Sequence, residues 1–299
     1  MSDLPPPVSA VGVLGAGTMG HGIAQVAAAA GYLVVLRDVN EEAVARGLES
    51  IKRNLEKGIR RGKLTAAERD QTLAGIQTTT SIEDLRDADL IIEAAPENLE
   101  LKRTLVREAE AVIKAGCIFA TNTSSLSIKE IAAASSHPGR VVGMHFFNPV
   151  HLMRLVEIVV GEQTAQLTIK AVRAVAQRMK KEPIIVRDVP GFASSRLGVT
   201  LGLEAMRMVE QGVASARDID TAMELGYNHP MGPLRLTDLV GLDVRLSIAE
   251  YLHGKLGSET FKPPEILRRM VREGKLGKKS GEGFYKWNDG AEPIATANA

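Results

Sequence analysis

The segment Gly15-Ala16-Gly17-Thr18-Met19-Gly20 constrains the fold more than any other part of the chain, because of what stands on either side of it. Residues 8–14 are a short apolar run, and residues 19–30 are rich in alanine and other helix-compatible residues, ending at Gly31. That order reads strand, glycine turn, helix. Gly15 permits a tight turn, Gly17 lets a pyrophosphate approach the backbone, and Gly20 allows close helix packing. The helix N-terminus then faces the phosphates with free N–H groups and partial positive charge. Glycine strings also occur in ordinary turns. Here the flanking strand and helix point to a dinucleotide, with Thr18 and Met19 inside the binding turn.

Residues 33–36 form a second apolar strand that ends at Arg37-Asp38. Asp38 follows Gly20 by 18 positions, near the spacing of about 20 at which a carboxylate reaches the adenosine ribose. It would accept hydrogen bonds from the ribose hydroxyls and repel a 2′-phosphate, so NAD is expected rather than NADP. Arg37 is a residue type that accommodates such a phosphate, but strand alternation turns it to the opposite face. The alternative is that Asp38 merely caps the next helix. A P-loop is excluded, since His21 and not lysine follows the last glycine.

Strand and helix signals continue to alternate: a long polar helix over 41–61, strands at 76–79, 89–95 and 117–121, and a helix over 99–115. Strands at 141–145 and 155–160, a helix over 165–179 and a strand at 184–186 follow. This is the pattern of an α/β, doubly wound and mostly parallel sheet. Beyond Val189 strand signals almost vanish, and helical patterning runs to Arg272. Two domains are therefore expected: a Rossmann-type NAD-binding domain over 1–188 and a smaller all-α domain over 189–299. Exposed apolar helix faces of the second offer a homodimer interface. Residues 1–7, with three consecutive prolines, read as an extended lead-in.

Lys+Arg 37 against Asp+Glu 36 leaves a net charge of +1, so no global field recruits nucleic acid or an anionic membrane. No apolar stretch approaches the roughly 20 residues of a membrane span. The N-terminus lacks the pattern of a signal peptide, and the single cysteine, Cys117, cannot form an intramolecular disulfide. A cytoplasmic protein is expected, with Cys117 buried in a strand. No metal-ligand spacing appears.

Charge is concentrated locally. Between Arg46 and Lys63 there are seven Lys or Arg and only two acidic residues, Glu49 and Glu56. Arg53, Lys57 and Arg61 recur every four residues with Asn54 beside them, forming a stripe that would hold a phosphorylated substrate handle or be a solvated helix face.

His145 and Glu157 lie in two apolar runs joined by a short connection, which would bring them together. Oxidation of a secondary alcohol needs a base for the hydroxyl proton, and histidine suits that task near neutrality. A carboxylate behind the ring fixes its tautomer and stabilises the imidazolium. Glu157 stands in an otherwise apolar strand, where an unpaired charge is costly. The bland alternative is a core histidine, with Glu157 salt-bridged to Arg154.

Several ordered motifs together resemble the L-3-hydroxyacyl-CoA dehydrogenases, especially the short bacterial 3-hydroxybutyryl-CoA dehydrogenases. They are the glycine turn, Pro96-Glu97-Asn98-Leu99, Asn122-Thr123-Ser124-Ser125-Leu126, His145-Phe146-Phe147-Asn148-Pro149-Val150, Pro190-Gly191-Phe192, Pro230-Met231-Gly232-Pro233, Gly241-Leu242-Asp243 and Gly281-Glu282-Gly283-Phe284-Tyr285. The resemblance implies reversible, NAD-dependent oxidation of a short L-3-hydroxyacyl-CoA, with His145 as base, Glu157 as its orienting carboxylate and Ser124 against the substrate. It implies NAD contacts at Glu97, Lys102, Asn122, Ser124, Asn148 and Lys279, and coenzyme A contacts at Asn54, Lys57 and Arg61. Ser195 stands where the family carries an asparagine associated with the His-Glu pair and the substrate carbonyl. The rival readings are a dehydrogenase of a free hydroxy acid or sugar acid, and a non-catalytic NAD-binding structural protein.

Overall fold

A computed structural model describes residues 7–288 and 294–295; all but the last residue of the proline-rich lead-in lies outside the described residues. By internal contacts the chain divides into Met1–Phe192 and Ala193–Ala299.

In the first unit most strands are short, apolar and followed by a helix that carries the chain back, so that the next strand joins in parallel. The order is β1 (Ala10–Leu14), α1 (Gly20–Ala29), β2 (Leu33–Arg37), α2 (Glu41–Arg60), α3 (Ala66–Ala74), β3 (Ile76–Thr79) and β4 (Leu90–Glu93). Then come α4 (Leu99–Val112), β5 (Ile118–Thr121), α5 (Ile128–Ala132), β6 (Val141–Phe146), β7 (Leu155–Val160), α6 (Gln166–Arg178) and β8 (Glu182–Arg187). The sheet order is β3-β2-β1-β4-β5-β6-β7-β8. Only the β6–β7 pair is antiparallel, with β7 and β8 again parallel to each other. The doubly wound, mostly parallel sheet expected from the alternating pattern is the one found.

Helix α3 has no counterpart in the expected elements. Its signal is local: Thr65 caps the Glu68 N–H while the Glu68 carboxylate accepts from the Thr65 N–H, a reciprocal box at positions 65 and 68. The helix itself is too polar to announce itself by periodicity.

Both faces of the sheet are covered. Alternate residues of β6 and β7 go to opposite sides: Val142, Met144, Val156 and Ile158 pack with α1 and α6, and Val141 and Val159 with Phe119, Ile128 and Phe192. Odd-numbered His145 and Glu157 thus share a face. Cys117 is 5% exposed, and burial pushes its thiol up to about 12. Native protein is therefore expected to react with iodoacetamide at pH 8 at least about 100-fold more slowly than denatured protein; ready native labelling would show an accessible thiolate.

The second unit contains α7 (Ser194–Glu210), α8 (Ala216–Gly226), α9 (Pro233–Val240), α10 (Leu242–Leu256) and α11 (Glu265–Arg272), plus a two-residue ribbon of β9 (Tyr285–Lys286) and β10 (Ile294–Ala295). Val199, Leu203, Met206, Leu234, Leu252 and Phe284 are among its core residues. Two buried carboxylates pin its final segment. Asp220 accepts from the Leu234 and Arg235 N–H groups and the Tyr285 hydroxyl, and Asp238 from the Phe284 and Tyr285 N–H groups and the Trp287 indole. No helix among the described residues is long and apolar enough to cross a membrane.

Candidate active site

The glycine turn closes tightly at its two ends and is open in its middle. A Cβ on Gly20 would stand 1.7 Å from the Gly15 carbonyl oxygen, and one on Gly15, whose φ is +97°, would stand 2.8 Å from that of Ala94. At Gly17 nothing lies within 4 Å, which leaves room for a pyrophosphate against the backbone. Helix α1 starts at Gly20 with no side-chain cap and no acidic residue in its first turn; the His21 and Ile23 N–H groups already donate to the Gly17 and Met19 carbonyls, and the positive end of the helix faces the turn.

Asp38 completes this end. One of its oxygens accepts from the Ala16 N–H at 2.6 Å, the other from the Val39 N–H at 2.7 Å. The cap of α2 is Asn40, which accepts from the Ala43 N–H, so the reading of Asp38 as a helix cap is overturned. Arg37 donates Nε to the Thr80 carbonyl at 3.1 Å yet lines the same cavity as Asp38, so the expectation that strand alternation removes it from the slot is corrected. Gly15, Gly17, Thr18, Met19 and Asp38 line a cavity with Leu14, Ala95, Pro96, Leu101 and Leu105. An apolar slot ending at a carboxylate, beside open backbone, fits an adenosine and its pyrophosphate.

Beneath the groove lies a charged network that sequence reasoning missed. Glu93 ends β4 and Lys102 lies one turn into α4; both are fully buried. The Lys102 ammonium donates to the two Glu93 oxygens at 2.7 and 2.9 Å and to the Ala95 carbonyl at 3.3 Å. Thr121 donates to Glu93 at 2.6 Å. The available signal was a lone carboxylate closing the apolar run Leu90-Ile91-Ile92-Glu93. Lys102, expected at the cofactor, is instead sealed in this ion pair, 3.6 Å from Glu97.

Glu97 gathers the loop after β5. A single oxygen, Oε1, accepts from the Thr123 hydroxyl at 2.7 Å, the Ser124 N–H and hydroxyl at 2.9 and 3.2 Å, and the Ser125 N–H and hydroxyl at 3.1 and 3.0 Å. Burial opposes its ionisation, but the Thr123 hydroxyl, the Lys102 charge and the Ser124 and Ser125 donors hold its carboxyl below the ordinary range. Asn122 accepts from the Phe146 N–H at 2.8 Å, tying the end of β5 to that of β6.

His145 and Glu157 face each other across the antiparallel pair as direct register partners. Nδ1 of His145 lies 2.7 Å from a Glu157 oxygen; Glu157 is fully buried and His145 8% exposed. Arg154 pairs with Glu182 instead, so the alternative partner for Glu157 is excluded. Because a carboxylate only accepts, Nδ1 carries the shared proton, so in the neutral imidazole the lone pair is on Nε2. The rings of Phe147 and Phe192, 4.5 and 5.9 Å from the imidazole, hold it in place. His145, Ser124, Glu97, Asn122, Phe147 and Asn148 line a second cavity, and Met19, Ala94 and Ala95 line both this cavity and the dinucleotide slot. The dinucleotide groove leads to the imidazole.

The remaining candidates of the first unit are on α2, outside the linings of these two cavities. Asn54 donates to Gln25 on α1 at 3.2 Å, while Lys57, near the end of α2, and Arg61, its C-cap, are exposed. Ser195 and Lys279 belong to the helical unit: Ser195 is in the first turn of α7, and Lys279 donates to Asp243 at 2.5 Å.

Two family models match the chain: the NAD binding domain of 3-hydroxyacyl-CoA dehydrogenase over residues 10–189 and its C-terminal domain over 191–287. A Deinococcus radiodurans protein named "Probable 3-hydroxybutyryl-CoA dehydrogenase" is 46% identical over 276 residues, covering 92% of this chain and 99% of that one. The 3-hydroxybutyryl-CoA dehydrogenase of Clostridioides difficile is 42% identical, with 92% and 98% covered. The crystal structure of (S)-3-hydroxybutyryl-CoA dehydrogenase from Ralstonia eutropha superposes with a TM-score of 0.92 at 41% identity, covering 95% of this chain and all of that one.

Proposed function

Because the chain belongs to the 3-hydroxyacyl-CoA dehydrogenase family, we propose that its His145-Glu157 pair is the general base and its orienting carboxylate in the NAD-dependent oxidation of a short L-3-hydroxyacyl-CoA. The protein is an NAD-dependent 3-hydroxyacyl-CoA dehydrogenase. The observation that carries the assignment of roles is the 2.7 Å contact between a nearly buried imidazole and a fully buried carboxylate at the end of the dinucleotide groove.

NAD, when bound, supplies the hydride acceptor. Nε2 of His145 takes the proton of the substrate hydroxyl, and Glu157 stabilises the imidazolium that results. Ser124, held by Glu97, presents its hydroxyl to the substrate oxygen. Glu97, Asn122 and Asn148 border the nicotinamide end, and Lys102 acts there through Glu97 rather than by touching the cofactor. Ser195 takes the substrate carbonyl and Lys279 an NAD contact, while Asn54, Lys57 and Arg61 meet coenzyme A. The exposed Leu197, Leu225, Tyr227 and Val244 of the helical unit support a homodimer, and we place the protein in the cytoplasm.

With 3-hydroxybutyryl-CoA and NAD, NADH formation is expected, and kcat/KM with NADP at least about tenfold lower because Asp38 repels the 2′-phosphate. Comparable values for the two cofactors would refute the role given to Asp38. Absence of NADH with acyl chains from four to sixteen carbons would refute the activity.

A further inference from the structure

The loop between β6 and β7 hangs from a lysine that is buried without an acid. Lys181 stands between α6 and β8 and is 7% exposed. Its Nζ donates to the Val150 carbonyl and, at 2.8 Å, to the Met153 carbonyl. The acidic groups nearest to it are engaged elsewhere: Glu182, its neighbour in sequence, holds Arg154, and Glu68 closes the cap of α3. Desolvation accordingly holds the ammonium below the ordinary lysine range. A charge buried without a counter-ion is costly, so what keeps this cation inside is the pair of carbonyl oxygens it serves.

The lysine is fixed at its own end. Lys180 turns the chain in the left-handed region, with φ +59°, which a residue with a side chain adopts only where its surroundings impose it. The Lys181 N–H returns to the Ala176 carbonyl at 3.0 Å. Residues 150–153 curl over the Pro149 carbonyl, which accepts from the Leu152 and Met153 N–H groups at 2.9 Å each. Among the described residues, the segment 147–153 has hydrogen-bond partners outside itself only in Lys181. Val150 adds an apolar foothold on α1, where a Cβ on Gly22 would come 2.8 Å from that of Val150.

Asn148 stands at the start of this loop. It lines the cavity of His145 together with Glu97 and Ser124, and no hydrogen bond to a described residue holds its side chain. Its placement therefore follows from the backbone that Lys181 closes two residues later. We propose that Lys181 is a positioning residue for hydride transfer: by closing residues 150–153 it fixes the loop that presents Asn148 to the nicotinamide end of the groove. This rests on the placing of the nicotinamide beside Asn148. The adenosine end does not depend on the clamp, since Asp38 is held by the Ala16 and Val39 N–H groups and lines a cavity that no residue of 147–153 enters. Lys181 lines neither cavity, so it acts on the cofactor only through the loop.

The test compares NADH with ADP-ribose, which keeps the adenosine, the pyrophosphate and the second ribose but has no nicotinamide. Lys181→Met should weaken NADH binding about tenfold, the effect of a lost charge-assisted hydrogen bond, and leave ADP-ribose within about twofold. At saturating NAD kcat should fall as well, because a misaligned nicotinamide accepts hydride poorly. Lys181→Arg, which keeps a cation and its donors, should bind NADH within about threefold of the wild type. Asn148→Ala should show the same selective loss on NADH, and adding Lys181→Met to it should cost less than about twofold more, since the two act through one loop. Equal losses on NADH and ADP-ribose, unchanged NADH affinity, or fully additive effects of the two substitutions overturn the proposal. Should Lys181→Met fail to fold, Lys181→Gln, with two N–H donors on a shorter stem, carries the test: a loss of about threefold confined to NADH supports the clamp, and no selective loss refutes it. An Asn148→Ala variant that binds NADH like the wild type refutes the placing of the nicotinamide and the clamp with it. A selective loss in Asn148→Ala with none in Lys181→Met refutes the clamp alone.

Discussion

Replacing His145 with glutamine is expected to lower kcat by about two to four orders of magnitude while NAD binding is unchanged. Glutamine keeps a polar group near Glu157 but has no basic nitrogen to receive the hydroxyl proton. The adenosine end of the groove is built by the glycine turn, Asp38 and the apolar residues of α4, and in the neighbouring cavity of His145 glutamine keeps a side chain of similar size beside the nicotinamide end. A fluorescence titration with NADH should therefore give the same affinity for variant and wild type. The KM for the acyl-CoA should move far less than kcat, because the lost interaction is made in the transition state. A loss of kcat below about tenfold would remove His145 from the role of base.

The second large effect is on stability. Lys102→Met removes the only cation that meets Glu93 at hydrogen-bond distance among the described residues, and leaves a carboxylate fully buried beneath the groove. Breaking a buried pair on one side costs about 3–5 kcal/mol, which for a unit of this size corresponds to a Tm lower by about 10 °C. The double variant Glu93→Gln/Lys102→Met should recover much of the loss. The neutral amide carries no charge into the interior, and its oxygen still accepts from the Thr121 hydroxyl. Thermal unfolding of both variants checks this. A single variant as stable as the wild type would mean that water or a shifted side chain solvates Glu93.

The features legible in the sequence are those in which neighbouring residues report one another. A glycine turn between an apolar run and an alanine-rich helix reads as strand, turn and helix because each element constrains the next. His145 and Glu157 were readable as a pair because a polar residue inside each of two apolar strands needs a partner, and the connection between the strands is short. The Glu93-Lys102 pair was harder. Its members sit on a strand and a helix, and lysine in a polar helix looks solvated until the packing is known. Lys181 is the same problem, since a lysine between Lys180 and Glu182 has no local mark of burial. Ile184-Ile185-Val186 read as an apolar strand, and β8 is the sheet edge with Ile185 52% exposed. Apolar composition does not distinguish an edge from a centre.

The reversal of direction between β6 and β7 has a consequence for how such a site can be inherited. A parallel neighbour requires a crossover of a dozen or more residues, whereas an antiparallel one needs only a turn. The base and its carboxylate therefore travel in one contiguous stretch of chain, opposed by strand register and not by their separation of twelve. Insertions between Phe146 and Leu155 would leave the pair facing each other as long as the two strands keep their alignment. A single-residue slip within either strand would turn one partner to the other side of the sheet and separate them.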